Sequence, residues 1–143
     1  MLDDKLKDLD LIDVLSERHL QLRKVIEQLW NTNSDMNLSN SEWFMMARIY
    51  QKQPTIAYVS RNVDISRQAT HKLIKKLEEK GLVEVSNVRD NKKDKYIRLT
   101  DLGEACYEKN EALKADQERK IADNIGHEQF QLLNDILKAD WGM

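Results

Sequence analysis

"ISRQATHKLIKKLEEKGLVEV", Ile65–Val85, is the stretch whose reading decides the fold. Ser66 is a good N-cap, and Gly81 is a stop signal of the kind that ends helices in a left-handed turn. Between them, a helix winding about 100° per residue sorts the side chains cleanly. Thr70, Leu73, Ile74 and Leu77 fall on one side, with Ala69 at its edge. Arg67, Gln68, His71, Lys72 and Lys75 fall on the other, over an arc of roughly 140°. One face is built to seal a core. The other gathers cations around a glutamine and a histidine.

That concentration is unusual for this chain. Its formal net charge is -2. Arg61–Arg98 nevertheless holds 11 Lys or Arg against 6 Asp or Glu, and Leu99 to the end holds 5 against 10. A basic centre between acidic flanks points to a polyanion that touches only the centre. A charged helix face is usually a solvated face. Here the charge is of one sign until Glu78 and Glu79, and a second basic cluster follows at Arg89, Lys92, Lys93 and Lys95.

Working outward, Leu82–Asn87 and Lys95–Leu99 read as two strands of a hairpin, with a charged tip at Arg89–Asp94. Upstream, Thr55 can cap a short helix through Ile56, Val59 and Val63, with Pro54 before it and a turn near Asp64. Ser39 and Glu42 fit a capping box, with Leu38 and Trp43 as a hydrophobic staple, and Met45, Met46, Ile49 and Tyr50 continue that helix. A long first helix is expected from about Leu2 to Trp30, with Leu11, Leu15, Leu22, Ile26 and Leu29 on one face. Asn31–Asn37 reads as a turn. Thr100 can cap a long helix from Asp101 to about Asn124, Gly126 breaks it, and Phe130, Leu133, Ile136 and Leu137 mark a last amphipathic helix.

The fold class is therefore mainly α with a small β-hairpin wing: a winged helix-turn-helix whose second helix is shaped for the DNA major groove. At 143 residues, with 41% apolar and 34% charged residues, four Gly and one Pro, one mostly helical domain is expected. No apolar run is long enough to span a membrane, and no signal peptide opens the chain, so no membrane partner and a cytoplasmic location are expected. The lone Cys106 suits a reducing compartment and reads as a buried, inert thiol.

"ISRQATHKLIKKLEEKGLV", "IRLTDLGEA" and "LSNSEWFMMARIY" resemble the recognition helix, the fifth-helix entry and the second helix of the MarR family of winged helix-turn-helix transcriptional regulators. The resemblance spans nearly the whole chain. It implies an obligate homodimer, with dimerisation helices in 1–32 and 101–143 and a DNA-binding lobe over 38–100. It also implies a pseudo-palindromic double-stranded operator and a repressor relieved by a small-molecule effector. The family's wing usually carries Asp-x-Arg where this chain has Asn91 and Lys93. Lysine lacks the planar fork, so phosphate rather than minor-groove contact is expected of it. Asp64 also replaces a common glycine, and Val85 a common arginine.

The expected DNA contacts are Ser66, Arg67, Gln68, His71, Lys72, Lys75, Arg89, Lys92, Lys93 and Lys95. Arg and Lys pair with guanine or phosphate, Gln with adenine, and a helix N-terminus at Ser66 with a phosphate. No metal or other cofactor is expected, because His19, His71 and His127 lack metal-ligand spacing. No phosphate loop or nucleophile–base pair argues for an enzyme. Trp30, Trp43, Tyr50 and Trp141 read as core, or as the lining of an effector pocket between lobes. The rival to a regulator is a winged-helix protein-interaction module that has lost DNA binding.

Overall fold

The computed structural model describes residues 2–63, 65–88 and 91–143, with side chains at all of these except 88 and 91–94. Six helices and one hairpin follow in order: α1 Leu11–Asn33, α2 Asn40–Ile49, α3 Ile56–Asn62, α4 Arg67–Glu79, β1 Val83–Val88, β2 Asn91–Leu99, α5 Asp101–Ile125 and α6 His127–Lys138.

The caps explain most of these boundaries. Ser39 accepts from the Glu42 N–H and Glu42 accepts in return from the Ser39 N–H, both at 3.1 Å, which closes the expected capping box. Thr55, Ser66 and Thr100 cap α3, α4 and α5 without the return bond, accepting from the N–H groups of Tyr58, Ala69 and Gly103. At the end of α4, the Leu82 N–H reaches the Leu77 carbonyl and the Gly81 N–H reaches that of Glu78. This paired C-cap needs a left-handed residue, and Gly81 supplies it with φ 76°.

The first helix differs from the expectation at both ends. It begins at Leu11, not Leu2, because two aspartates compete for backbone donors. Asp3 collects the N–H groups of Lys5, Leu6 and Lys7 in one closed turn. Asp10 then accepts from the Asp13 N–H and restarts the chain as a helix. At the far end α1 runs on to Asn33, past Trp30. The Trp30 indole N–H donates to the Met36 carbonyl at 2.6 Å and holds the turn that follows.

β1 and β2 pair antiparallel from Val83↔Leu99 to Asn87↔Lys95, with a register shift between Asn87 and Val88. The returning strand starts at Asn91, earlier than the pattern suggests. A further rung was not legible in the pattern. Thr55 bridges to Tyr96, and the Ile97 N–H donates to the Pro54 carbonyl at 2.9 Å. The chain entering α3 is thereby hydrogen-bonded to the hairpin.

The core lies inside this middle region. Met45, Met46 and Ile49 of α2, Ile74 and Leu77 of α4, Leu82 just before the hairpin and Ile97 within it are buried together. Complete burial of a side chain such as Leu77 stabilises the fold by about 1.5–3 kcal/mol. Trp30 and Trp43 meet edge to face with ring centroids 4.7 Å apart. Thr100 seats α5 on the lobe by donating its hydroxyl to the Gly81 carbonyl at 2.7 Å. Gly103 makes this close approach possible, since a Cβ there would stand 2.0 Å from the Leu82 carbonyl oxygen. Farther along, Tyr50, the residue that ends α2, donates its hydroxyl to Glu108 of α5 and packs on Tyr107 with ring centroids 4.4 Å apart.

Candidate nucleic-acid interface

α4 stands as its sequence sorts it. Thr70, Ile74 and Leu77 are buried, and Leu73 is half-buried. Arg67, Gln68, His71, Lys72 and Lys75 are all exposed. Thr70 tightens the first turn, its hydroxyl and N–H both donating to the Ser66 carbonyl. Ser66 Oγ takes the Ala69 N–H at 3.1 Å. The N–H groups of Arg67 and Gln68 lie ahead of the first intrahelical hydrogen bond and are open to an anion.

The exposed residues divide by direction. Arg67, His71, Ile74 and Glu78 form one edge of α4 and line a hollow of about 240 Å³ with Ile56, Ala57 and Ser60 of α3 and Val85 and Lys95 of the hairpin. Arg67, His71 and Lys95 thus share one depression, although 24 positions separate His71 from Lys95. Gln68, Lys72 and Lys75 lie outside it. Ser60 and Glu78 were not singled out in the sequence. Their place becomes visible only when α3 and α4 are set against the hairpin.

Among the wing cations, Lys95 is exposed. Arg89 lies outside the described residues, as does the Asp64 turn, and the side chains of Lys92 and Lys93 are likewise not described. Among the described residues of the central segment, two basic residues are occupied elsewhere. Lys80 Nζ holds both Glu42 oxygens, at 2.7 and 2.9 Å, and the Asn37 carbonyl at 2.8 Å. Arg98 pairs across the hairpin with Glu84. Neither of these two cations is free for a polyanion. No signal in the sequence linked Lys80 to a partner 38 positions away.

The other candidates are scattered. Cys106 is half-buried, less enclosed than expected, and burial pushes its thiol pKa up, with Lys109 partly opposing. The expected aromatic lining does not converge: Trp30 and Trp43 are shut in the core, while Trp141 is exposed at the C-terminal end. Among the described residues, no group of three His, Cys, Asp or Glu is placed to hold a metal. No helix there is long and apolar enough to cross a membrane.

A capped helix with an exposed basic face, a supporting helix before it and a hairpin beside it make up a winged helix unit. Residues 38–103 match the family model for the winged helix DNA-binding domain. The chain as a whole is built on the fold of the MarR family of transcription regulators. Wild-type MarR from E. coli, in its apo form, aligns over 92% of this chain and 97% of its own, with 16% identity and a TM-score of 0.75. Streptococcus pneumoniae FabT, solved in complex with DNA, aligns over 89% and 90% with 16% identity and a TM-score of 0.76. The Mycobacterium tuberculosis MarR family protein Rv2887, solved with salicylic acid, aligns over 92% and 96% with 19% identity and a TM-score of 0.70. No curated protein sequence matches the chain. Other structures with the same fold are described as transcription regulators, among them MepR of Staphylococcus aureus, at 15% identity and a TM-score of 0.72 over 90% of this chain and 94% of its own.

Proposed function

We propose that this chain is a homodimeric, sequence-specific DNA-binding regulator, acting in the cytoplasm as a repressor relieved by a small ligand. The observation that carries the reading is the exposed face of α4, where Arg67, Gln68, His71, Lys72 and Lys75 stand clear of the core behind the Ser66 cap. Gln68 and His71 read base edges near the helix N-terminus. Arg67 and Lys72 flank them on guanine or phosphate, and Ser66 and Lys75 hold the backbone. Arg89, Lys92, Lys93 and Lys95 neutralise phosphates from the wing. Support for the DNA partner comes from FabT, which shares the fold and was solved with DNA. Support for a ligand comes from Rv2887, solved with salicylic acid.

The dimer reading assigns 1–32 and 101–143 to dimerisation and 38–100 to the DNA-binding lobe. Its support is the apolar surface that the single chain leaves open on α1 and α6. A two-fold axis through those helices presents two copies of α4 to one duplex. The matching operator is a pseudo-palindrome with half-sites about one helical turn apart.

Footprinting on DNA upstream of the protein's own coding region tests this reading. The expected result is a protected pseudo-palindrome, bound with steep salt dependence. Protection of no duplex would favour the protein-interaction module instead, and equal protection of unrelated duplexes would contradict sequence-specific binding. The wing is tested separately with Lys92→Ala/Lys93→Ala. Binding to all duplexes should weaken alike, and the salt slope should fall by about one to two counterions per wing. A loss confined to the operator would show that the wing reads sequence.

A further inference from the structure

Three carbonyls of one short segment are taken by donors from three different helices. The segment runs from Asn33, the last residue of α1, to Asn37 in the link to α2. Lys109 of α5 donates its ammonium to the Asn33 carbonyl, and that ammonium lies 5.4 Å from the centroid of the Trp30 ring. The Trp30 indole of α1 donates to the Met36 carbonyl at 2.6 Å. Lys80, at the far end of α4, donates to the Asn37 carbonyl at 2.8 Å. α4 is thereby tied, through a few residues of chain, to the two long helices α1 and α5.

The Lys80 bonds are directional where the rest of the α4 packing is not. Thr70, Ile74 and Leu77 seat the helix by burial, which has no preferred direction. An ammonium has three N–H donors, and here all three are matched. Asn37 takes one, and the two oxygens of Glu42 take the others at 2.7 and 2.9 Å. Asn37 is exposed, so water would satisfy its carbonyl equally well, and what the lysine adds there is a fixed position. Gln68 stands at the opposite end of α4. The helix has 13 residues and is about 20 Å long, so a tilt of about 5° at the Lys80 end moves its first turn by about 1.7 Å. In a symmetric dimer both copies move, and the separation of the two first turns changes by up to about 3.4 Å, the rise of one base pair.

We propose that Lys80 is a positioning residue for operator recognition. By holding the end of α4 to Asn37 it fixes the angle of α4 against α1 and α5, and so the half-site spacing that two copies of α4 accept. This role rests on the dimeric, DNA-binding reading above.

The test compares four full chains: wild type, Glu42→Gln, Lys80→Met/Glu42→Gln and Lys109→Met. Glu42→Gln keeps the Asn37 bond. The double variant loses it but leaves no buried charge unpaired, so it should melt near wild type. Lys109→Met cuts the same tie at α5, and because Lys109 is exposed it leaves the fold intact. A spin label on Lys76→Cys, with Cys106→Ser, lets pulsed dipolar spectroscopy read the distance between the two α4 copies without DNA. Wild type and Glu42→Gln should give one narrow distribution, and the double variant and Lys109→Met a broader one. Each unlabelled chain is then titrated with the footprinted operator and with versions one base pair longer or shorter between half-sites. Wild type and Glu42→Gln should prefer the native spacing by about tenfold, and the two variants that cut the tie by about threefold or less. Equal widths in all four chains, equal broadening in Glu42→Gln, or wild-type spacing preference in the variants that cut the tie would overturn the role of Lys80. Absence of any dipolar distance in wild type would instead end the dimer reading, and this role with it.

Discussion

The lobe and the ends of this chain treat apolar side chains in opposite ways. In the lobe, Met45, Met46, Ile49, Leu77 and Leu82 are fully enclosed by neighbours from the same chain. On α6 no residue is buried, and Leu132, Leu133, Ile136 and Leu137 stand 58%, 43%, 50% and 47% exposed. α1 is similar, with Leu11, Ile12, Leu20 and Leu22 in water and Leu15, Ile26 and Leu29 half-covered. Both helices have strong apolar patterning, so the difference is not one of composition. The lobe closes its core by folding back through a hairpin. Two long helices at the ends have no third layer to close against. Bare amphipathic helices of this kind are the observation on which the proposed dimer rests.

The largest effect follows from removing an end. Deletion of Phe130–Met143 should abolish folding of the chain, read by loss of cooperative melting, because the α1 surface then has nothing to cover it. Light scattering of the intact protein at micromolar concentration should give twice the 16.8 kDa chain mass. A stable, well-folded monomer would erase the contrast between the two regions.

The lobe should instead be sensitive to single interior changes. Glu42 is 4% exposed, and Lys80 is its counter-ion. Lys80→Met should cost about 2–3 kcal/mol in urea unfolding, less than a fully enclosed pair, because the lysine head is partly in water. Adding Glu42→Gln should restore most of that loss, since glutamine still completes the capping box and carries no charge. If the double variant is no better than the single one, the pair is not what ties α2 to the end of α4.

The smallest effect concerns Cys106, at the junction of lobe and α5. Its thiol pKa is raised above the ordinary value, so less thiolate is present at any pH below it. Reaction with a disulfide reagent at pH 8 should be slower than for a free thiol and should speed up only at higher pH. Fast labelling at pH 7 would mean that α5 does not pack on the lobe there as described.

What the sequence revealed follows the range of the interactions. Ser39, Thr55, Ser66, Thr100 and Gly81 act within four residues of themselves, so their caps were legible, and the two-sidedness of α4 came from period alone. Asp10 was missed because the helix was carried back to about Leu2, ahead of the apolar pattern that starts at Leu11, whereas its carboxylate decides where α1 begins. Lys80–Glu42, Thr55–Tyr96 and the hollow beside α4 join residues far apart in the chain, and periodicity carries no trace of such partners. Of the four aromatics read as core or pocket lining, Trp30 and Trp43 are core and Trp141 is exposed, for a related reason. Helical spacing shows that Trp30 and Trp43 turn inward but not that Trp141 stays out.

The central claim is that α4 reads bases, and Gln68 tests it most directly. It is exposed, uncharged and in the first turn, so it adds nothing to a general attraction for phosphate. The measurement is a competition titration of wild type and Gln68→Ala against operator and scrambled duplex at two salt concentrations. The account predicts a loss of about 1–3 kcal/mol on the operator and far less on the scrambled duplex. An operator-to-scrambled ratio unchanged by the substitution would contradict it and leave Gln68 a solvated surface residue.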